Sequence, residues 1–135
     1  SRHYLSAAKK TANYFIAHAA ATDFKPLCDF GQTPDKVYYD STAGVCAACG
    51  MIEIARHTDD CEAAAYLAGA LNLLKAADQH FCDYSPDTDS LVLMGTEAYP
   101  KKEAQMKGVH IPIIYGDFFY TEALLKLRGS DFLIW

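Results

Sequence analysis

The run Ser41-Thr-Ala-Gly-Val-Cys-Ala-Ala-Cys-Gly-Met-Ile-Glu-Ile-Ala-Arg56 constrains the fold more than any other stretch of this chain. Only Glu53 and Arg56 carry charge in it. Apolar or small residues occupy almost the whole circumference of a helix drawn through it, and such a helix is buried all round rather than along one stripe. Its alanines, glycines and cysteines let neighbouring elements approach closely. Four helical segments are legible in the chain, and they provide scarcely enough neighbours to surround an inner helix. The pattern therefore predicts a piece of a larger, double-layered helical ring.

The other segments are amphipathic or capped. From Tyr4 to about Ala21, Leu5, Ala8, Ala12, Phe15 and Ala19 recur at three- and four-residue steps, one apolar stripe. The inner helix follows Asp40, a good N-cap, and runs to about His57. Asp59 to about Phe81 opens with acids suited to a helix N-terminus and keeps Leu67, Leu71, Leu74 and Phe81 in register. The last helix spans Pro112 to about Arg128, with Pro at its start and Gly129 past its end. Glu122 and Lys126 form an i,i+4 pair expected on its outer side. His57-Thr58-Asp59 is short enough to make the second and third helices an antiparallel hairpin. Thr22–Tyr39 and Cys82–Ile111 are long connections, of a length usually reserved for function or disorder. Ser90–Met94 reads as a short extended piece. The fold class is all-α, built from helical hairpins.

With 135 residues the chain has the length of one domain. Half of it is hydrophobic and the net charge is -5. Its 12 Lys and Arg form no run, which argues against nucleic acid as a partner. No apolar stretch is long enough to span a membrane. The start, SRHYLSAAKK, lacks the pattern of a signal peptide and reads like an internal start. A cytoplasmic and a periplasmic home are both compatible with it. The five cysteines, an odd count, argue against a complete disulfide framework. Cys46 and Cys49 form a CAAC for which two readings stand: small buried helix residues, or a redox pair or half of a zinc site. Two further zinc ligands at matching spacing are missing. Asp29-Phe30-Gly31 spells a kinase metal motif without any other kinase feature.

Three blocks carry a resemblance. They are Lys25-Pro-Leu-Cys-Asp-Phe30, the helix Tyr39–Ala55 with its Asp-Ser-Thr-Ala opening, and Tyr115-Gly-Asp-Phe-Phe-Tyr-Thr-Glu-Ala-Leu-Leu-Lys-Leu127. In order and spacing, from Tyr4 almost to Trp135, the chain resembles glycoside hydrolase family 88, the unsaturated glucuronyl hydrolases. The resemblance implies a partial (α/α)6 barrel, with residues 1–135 as the C-terminal portion of one catalytic domain. It implies hydrolysis of the oligosaccharides that polysaccharide lyases leave, which end in a 4,5-unsaturated uronic acid. An aspartate protonates and hydrates the vinyl ether, and the unstable hemiketal opens to release the sugar. It implies neither a metal nor an organic cofactor. The family's catalytic aspartates lie earlier in the barrel and have no counterpart in these residues, so the chain alone is expected to be inactive. Its implied partners are the unsaturated oligosaccharide and the remainder of the barrel. The related unsaturated rhamnogalacturonyl hydrolases share the barrel, but the Asp-Phe and Asp-Ser-Thr-Ala blocks look closer to the glucuronyl branch.

The candidate substrate-binding residues are Asp117, Tyr115, Lys101, Lys102, Met94 and Asp40. Asp117 has two readings: a first-turn acid bonded to nearby backbone or a tyrosine, or a pocket acid orienting a sugar hydroxyl or the catalytic group. Tyr115 and Phe118 are core aromatics or the apolar wall of a sugar site. Asp40 and Ser41 are an N-cap, or line the barrel mouth. Many family members have His-Gly where Met94-Gly95 stands, followed by a Ser- and Lys-containing stretch that resembles a sulfate binder. Ala98-Tyr-Pro-Lys-Lys102 keeps the positive charge without the serines; it is a solvated loop or an attractor of anionic saccharide. His110, in the same connection, is expected to be incidental. Two rival functions remain: a non-catalytic carbohydrate-binding or scaffold remnant of the same barrel, and an unrelated helical interaction module.

Overall fold

The computed structural model describes residues 2–131. Ser1 and residues 132–135 lie outside them, and with them the end of the family resemblance near Trp135. The elements are α1 (Arg2–Ala20), α2 (Ser41–Ala55), α3 (Asp60–His80), a 3-10 helix (Glu103–Gly108) and α4 (Ile114–Leu127). Among the described residues the β pairing consists of three isolated antiparallel bridges, Leu27–Tyr39, Cys82–Val92 and Gly95–Ile111. These bridges hold the two long connections in place, and Cys82–Val92 uses the extended piece expected around Ser90–Met94.

Local chemistry explains where the helices begin and end. Asp40 caps α2 by accepting the Thr42 N–H at 3.2 Å. Asp59 caps α3 by accepting the N–H groups of Cys61 and Glu62 at 3.1 and 3.0 Å. Gly129 follows α4 at φ +90, a left-handed turn open to glycine, and donates to the Lys126 carbonyl at 3.0 Å. The start of α4 differs from expectation. Pro112 stands outside the helix, which begins at Ile114 with Ile113 as an extended N-cap. Ile111 is tied to Gly95 by two backbone hydrogen bonds of 2.8 Å, so the chain is still extended when it reaches Pro112. The 3-10 helix had no signal in the sequence, since a six-residue segment is too short to show a helical period.

The core is centred on α2. Val45, Ala48, Cys49, Met51, Ile52 and Ala55 pack with Tyr66, Ala70, Leu73, Leu74 and Ala77 of α3 and with Tyr120 and Ala123 of α4. Ala12 and Ala19 bring in α1, and Phe81 and Val92 bring in the long connection. A Cβ on Gly44 would meet the Pro26 ring at 2.9 Å, so the connection crosses α2 at backbone distance.

The described residues do not fully wrap the inner helix. Cys46 and Gly50 are exposed along one side of α2, and a Cβ added at Gly50 would meet nothing within 4 Å. A groove of about 790 Å³ opens there, lined chiefly by Leu5, Ala8 and Phe15 of α1 and by Ala47, Gly50 and Ile54 of α2. Leu5, Ala8 and Phe15 of the α1 stripe line this groove, while Ala12 and Ala19 reach the core. A second groove of about 400 Å³ runs along α4, between Ile114, Phe118 and Leu125. Cys46 thus departs from the buried reading of the CAAC motif, because among the described residues no element covers the side of α2 that carries it. Cys49 keeps that reading at 3% exposure, and burial pushes its thiol up to about 11.

The Glu122–Lys126 pair corrects a further expectation. It lies on the buried side of α4, with residue exposures of 8% and 6%. Lys126 Nζ stands 3.0 Å from Glu122 Oε1 and 3.6 Å from Glu53 Oε2, an ion pair by distance rather than an aligned hydrogen bond. Burial lowers the Lys126 ammonium, but the Glu122 carboxylate and Cys49 outweigh it and the net shift is upward. The charges sit between α2 and α4 beside the apolar contacts of Tyr120 and Ala123, while Leu124, Leu125 and Leu127 are exposed.

Candidate functional site

The side chains that carry chemistry gather at the N-terminal end of α2. Three segments meet there: Tyr38–Asp40, Met94–Thr96 and Val109–Ile111. Ser41 N–H donates to the Met94 carbonyl at 3.1 Å, and Thr96 N–H donates to Asp40 Oδ1 at 3.2 Å. Asp40 therefore caps the helix and grips the next segment with the same oxygen. Burial pushes its carboxyl above the usual range, against the pull of the N–H groups of Thr96, Ala43 and Thr42. Thr96 Oγ1 donates to the Tyr39 carbonyl at 2.5 Å and accepts the His110 N–H at 3.3 Å.

His110 closes the ring of contacts. Its Nε2 accepts the Tyr39 N–H at 2.9 Å. The imidazole lies nearly parallel to the Tyr39 ring, 23° between planes and 6.1 Å between centroids, and Tyr38 is 6.3 Å away. Burial holds its pKa below the ordinary histidine value. Tyr99 packs edge-on to Tyr38 at 5.5 Å and so anchors the loop that continues into Lys101 and Lys102. His110 (φ +55) and Met94 (φ +67) both hold left-handed backbone. Non-glycine residues stay there only where their surroundings over-determine them. Gly95 shows how tight those surroundings are: a Cβ there would sit 2.9 Å from Thr42 Oγ1 and 3.0 Å from the Ile111 carbonyl.

Asp117 joins this arrangement from α4. Its Oδ1 accepts the Val92 N–H at 2.6 Å, and Ser90 Oγ donates to both carboxylate oxygens at 3.2 and 3.1 Å. The partner backbone of its first reading is thus the 90–92 segment, across the fold rather than within α4. The same residue also borders the groove along α4.

Among the sequence candidates, Asp40 and Met94 are brought together at the α2 N-terminus, and Asp117 holds the adjoining 90–92 segment. Lys101 and Lys102 are exposed on the rim, and their backbone N–H groups donate to Gln105 Oε1 at 2.7 and 3.1 Å. Tyr115 is 63% exposed in the first turn of α4, which removes its core reading within this chain. Phe118 is half-buried and packs edge-on to Phe119 at 5.2 Å. Sequence reasoning missed Thr96, the tyrosines and the part played by His110. The available signal was the Tyr38-Tyr39 pair before a capping aspartate, with a histidine just ahead of Pro112.

These features define an all-α piece of a helical-hairpin barrel, with its loops gathered at one end of an inner helix. The solved structures similar to it are unsaturated glucuronyl hydrolases, in line with the family resemblance of the sequence. The enzyme from Bacillus sp. GL1, described as responsible for degradation of glycosaminoglycan, superposes with a TM-score of 0.80 at 27% identity, over 96% of this chain and 34% of that one. A UGL variant with dGlcA-Glc-Rha-Glc gives 0.81 at 28% identity, again over 96% and 34%. An unsaturated glucuronyl hydrolase specific for heparin gives 0.81 over 97% and 36%; at 20% identity this likeness speaks for the fold alone. The chain spans about a third of the length of these structures. No protein-family model matches the sequence, and no curated protein sequence does.

Proposed function

We propose that this chain is the C-terminal portion of a glycosidase acting on oligosaccharides that end in a 4,5-unsaturated glucuronyl residue. The observation that carries the reading is the match to the Bacillus sp. GL1 enzyme over 96% of the chain. The two open apolar grooves, one beside α2 and one beside α4, support it, since neighbouring staves of a ring would fill them. In this reading the remainder of the barrel supplies the catalytic aspartate. That acid gives a proton to one carbon of the vinyl ether, water adds at the other, and the resulting hemiketal opens and expels the neighbouring sugar. Asp40, Met94 and Asp117 hold the mouth in shape, and Lys101 and Lys102 offer point charges to an anionic saccharide arriving at the rim.

The test is an ultraviolet assay on the complete polypeptide that carries this chain. Incubation with an unsaturated uronic acid disaccharide is expected to abolish the absorbance of the double bond, while the 135-residue chain alone leaves it unchanged. A complete polypeptide that binds the saccharide and preserves the absorbance defeats the catalytic reading. That outcome belongs to a carbohydrate-binding remnant of the same barrel, which Met94, standing where many family members have histidine, favours.

A further inference from the structure

We infer that His110 is a positioning residue of the mouth: as a neutral imidazole accepting the Tyr39 N–H it locks segment 38–40 to segment 94–96, and its protonation releases that lock. The inference deepens the proposed site and rests on that reading for its effect on substrate.

The geometry leaves one workable protonation state. A backbone N–H can only donate, so Nε2, 2.9 Å from Tyr39 N, must carry a lone pair. The proton of the neutral ring is then on Nδ1. A second proton would sit on Nε2 and face the Tyr39 N–H, two donors with no acceptor between them. The contact spans a sequence separation of 71 residues and belongs to a closed circuit. His110 N–H donates to Thr96 Oγ1, Thr96 Oγ1 donates to the Tyr39 carbonyl, and the Tyr39 N–H returns to the imidazole. Thr96 N–H meanwhile holds Asp40. Opening the imidazole link leaves the Tyr38–Asp40 segment held to residues 94–96 only by Ser41 N–H and the two Thr96 bonds, and loosens it on the side of His110. The left-handed backbone at His110 agrees with a residue kept in place for its ring.

The titratable rings set against the imidazole are Tyr38 and Tyr39. The charged residues next along the segments that meet it are Asp40, Glu97 and Lys107; Glu97 N–H is bonded to the Gly108 carbonyl at 2.9 Å and its carboxylate lies against Gly108, two residues from His110. Burial disfavours the imidazolium, so the folded state prefers the neutral ring. The lock is therefore fully present above the ordinary histidine pKa and is lost as pH falls through the lower folded value.

The experiment uses the complete polypeptide, labelled with ¹⁵N at histidine and tyrosine. At neutral pH His110 is expected to show the Nδ1–H tautomer. On acidification, the protection of the Tyr39 amide, its exchange relative to an open amide at the same pH, should fall at least about tenfold, with the same midpoint as the ring titration. His110→Gln keeps an acceptor oxygen and should retain slow Tyr39 exchange with no step at that midpoint. His110→Phe should exchange fast at every pH. With the unsaturated disaccharide, His110→Phe should raise KM by about threefold to tenfold with kcat nearly unchanged, the cost of one lost hydrogen bond, and His110→Gln should restore it. An Nε2–H tautomer overturns the inference, as does a Tyr39 amide indifferent to His110 titration in the unsubstituted protein. The exchange and tautomer measurements need no turnover. An inactive protein with a coupled Tyr39–His110 step refutes the activity and leaves the lock standing, and an active protein without the step does the reverse.

Discussion

Replacing Asp117 by alanine tests how the mouth is held. Val92 is 1% exposed, and its neighbours are already committed to the end of α3: Asp83 N–H donates to the Leu91 carbonyl and Leu93 N–H to the Phe81 carbonyl, both at 2.9 Å. The Val92 N–H therefore points the other way, to Asp117 Oδ1 at 2.6 Å. A hydrogen bond to a charged acceptor contributes about 1.5–3 kcal/mol, and a buried donor left without a partner costs about 1–3 kcal/mol. Asp117→Ala also frees Ser90 Oγ, so a loss of about 3 kcal/mol is expected. Asp117→Asn keeps an oxygen for Val92 and should lose about 1 kcal/mol. With a urea slope of about 2 kcal/mol per M, the alanine midpoint falls by about 1.5 M and the asparagine midpoint by about 0.5 M. Amide exchange at Val92 should accelerate in the alanine variant while amides in the middle of α3 change less. The reasoning is refuted if Asp117→Ala costs under about 1 kcal/mol, or if Val92 exchange stays as slow as before.

The remaining expectations concern burial. Lys126→Met leaves Glu122 buried without its cation and should cost about 3–5 kcal/mol, whereas the double substitution with Glu122→Leu should recover most of it; equal losses in thermal unfolding refute the pairing. Gly50→Ala should stabilise the isolated chain by about 0.5–1 kcal/mol, since its methyl group enters open space in a helix interior, while Gly44→Ala should destabilise it through Pro26. In the native chain, maleimide should label Cys46 and Cys61 and spare Cys49; mass mapping that finds Cys49 modified first contradicts the described core.

Much of the fold was legible because it depends on periodicity and capping. The apolar circumference of Ser41–Ala55, the caps at Asp40 and Asp59 and the glycine stop at Gly129 are each written in a few adjacent residues. Glu122 and Lys126 were misplaced because charge spacing marks a pair, not the side of the helix it occupies; their burial depends on Glu53 and Cys49, far away in sequence. The start of α4 was misplaced for a similar reason, since the bridge to Gly95 keeps Ile111 extended and no local residue announces it. In the site, Asp40 was readable as a cap, but its second partner, Thr96, was not. His110 acquires its role only when the fold sets its ring against Tyr39, and nothing near residue 110 encodes that distance.

The exposed side of α2 behaves as a gauge. Around its middle the floor is Cys46, Ala47 and Gly50, so a rod crossing there would ride almost on main chain, and the separation would be set by those few atoms. One isobutyl arm at Gly50 would lift such a rod by roughly 2–3 Å, several times the slack that close-packed interiors tolerate. The bore of any ring assembled on this element is thus specified by how little each of these residues protrudes.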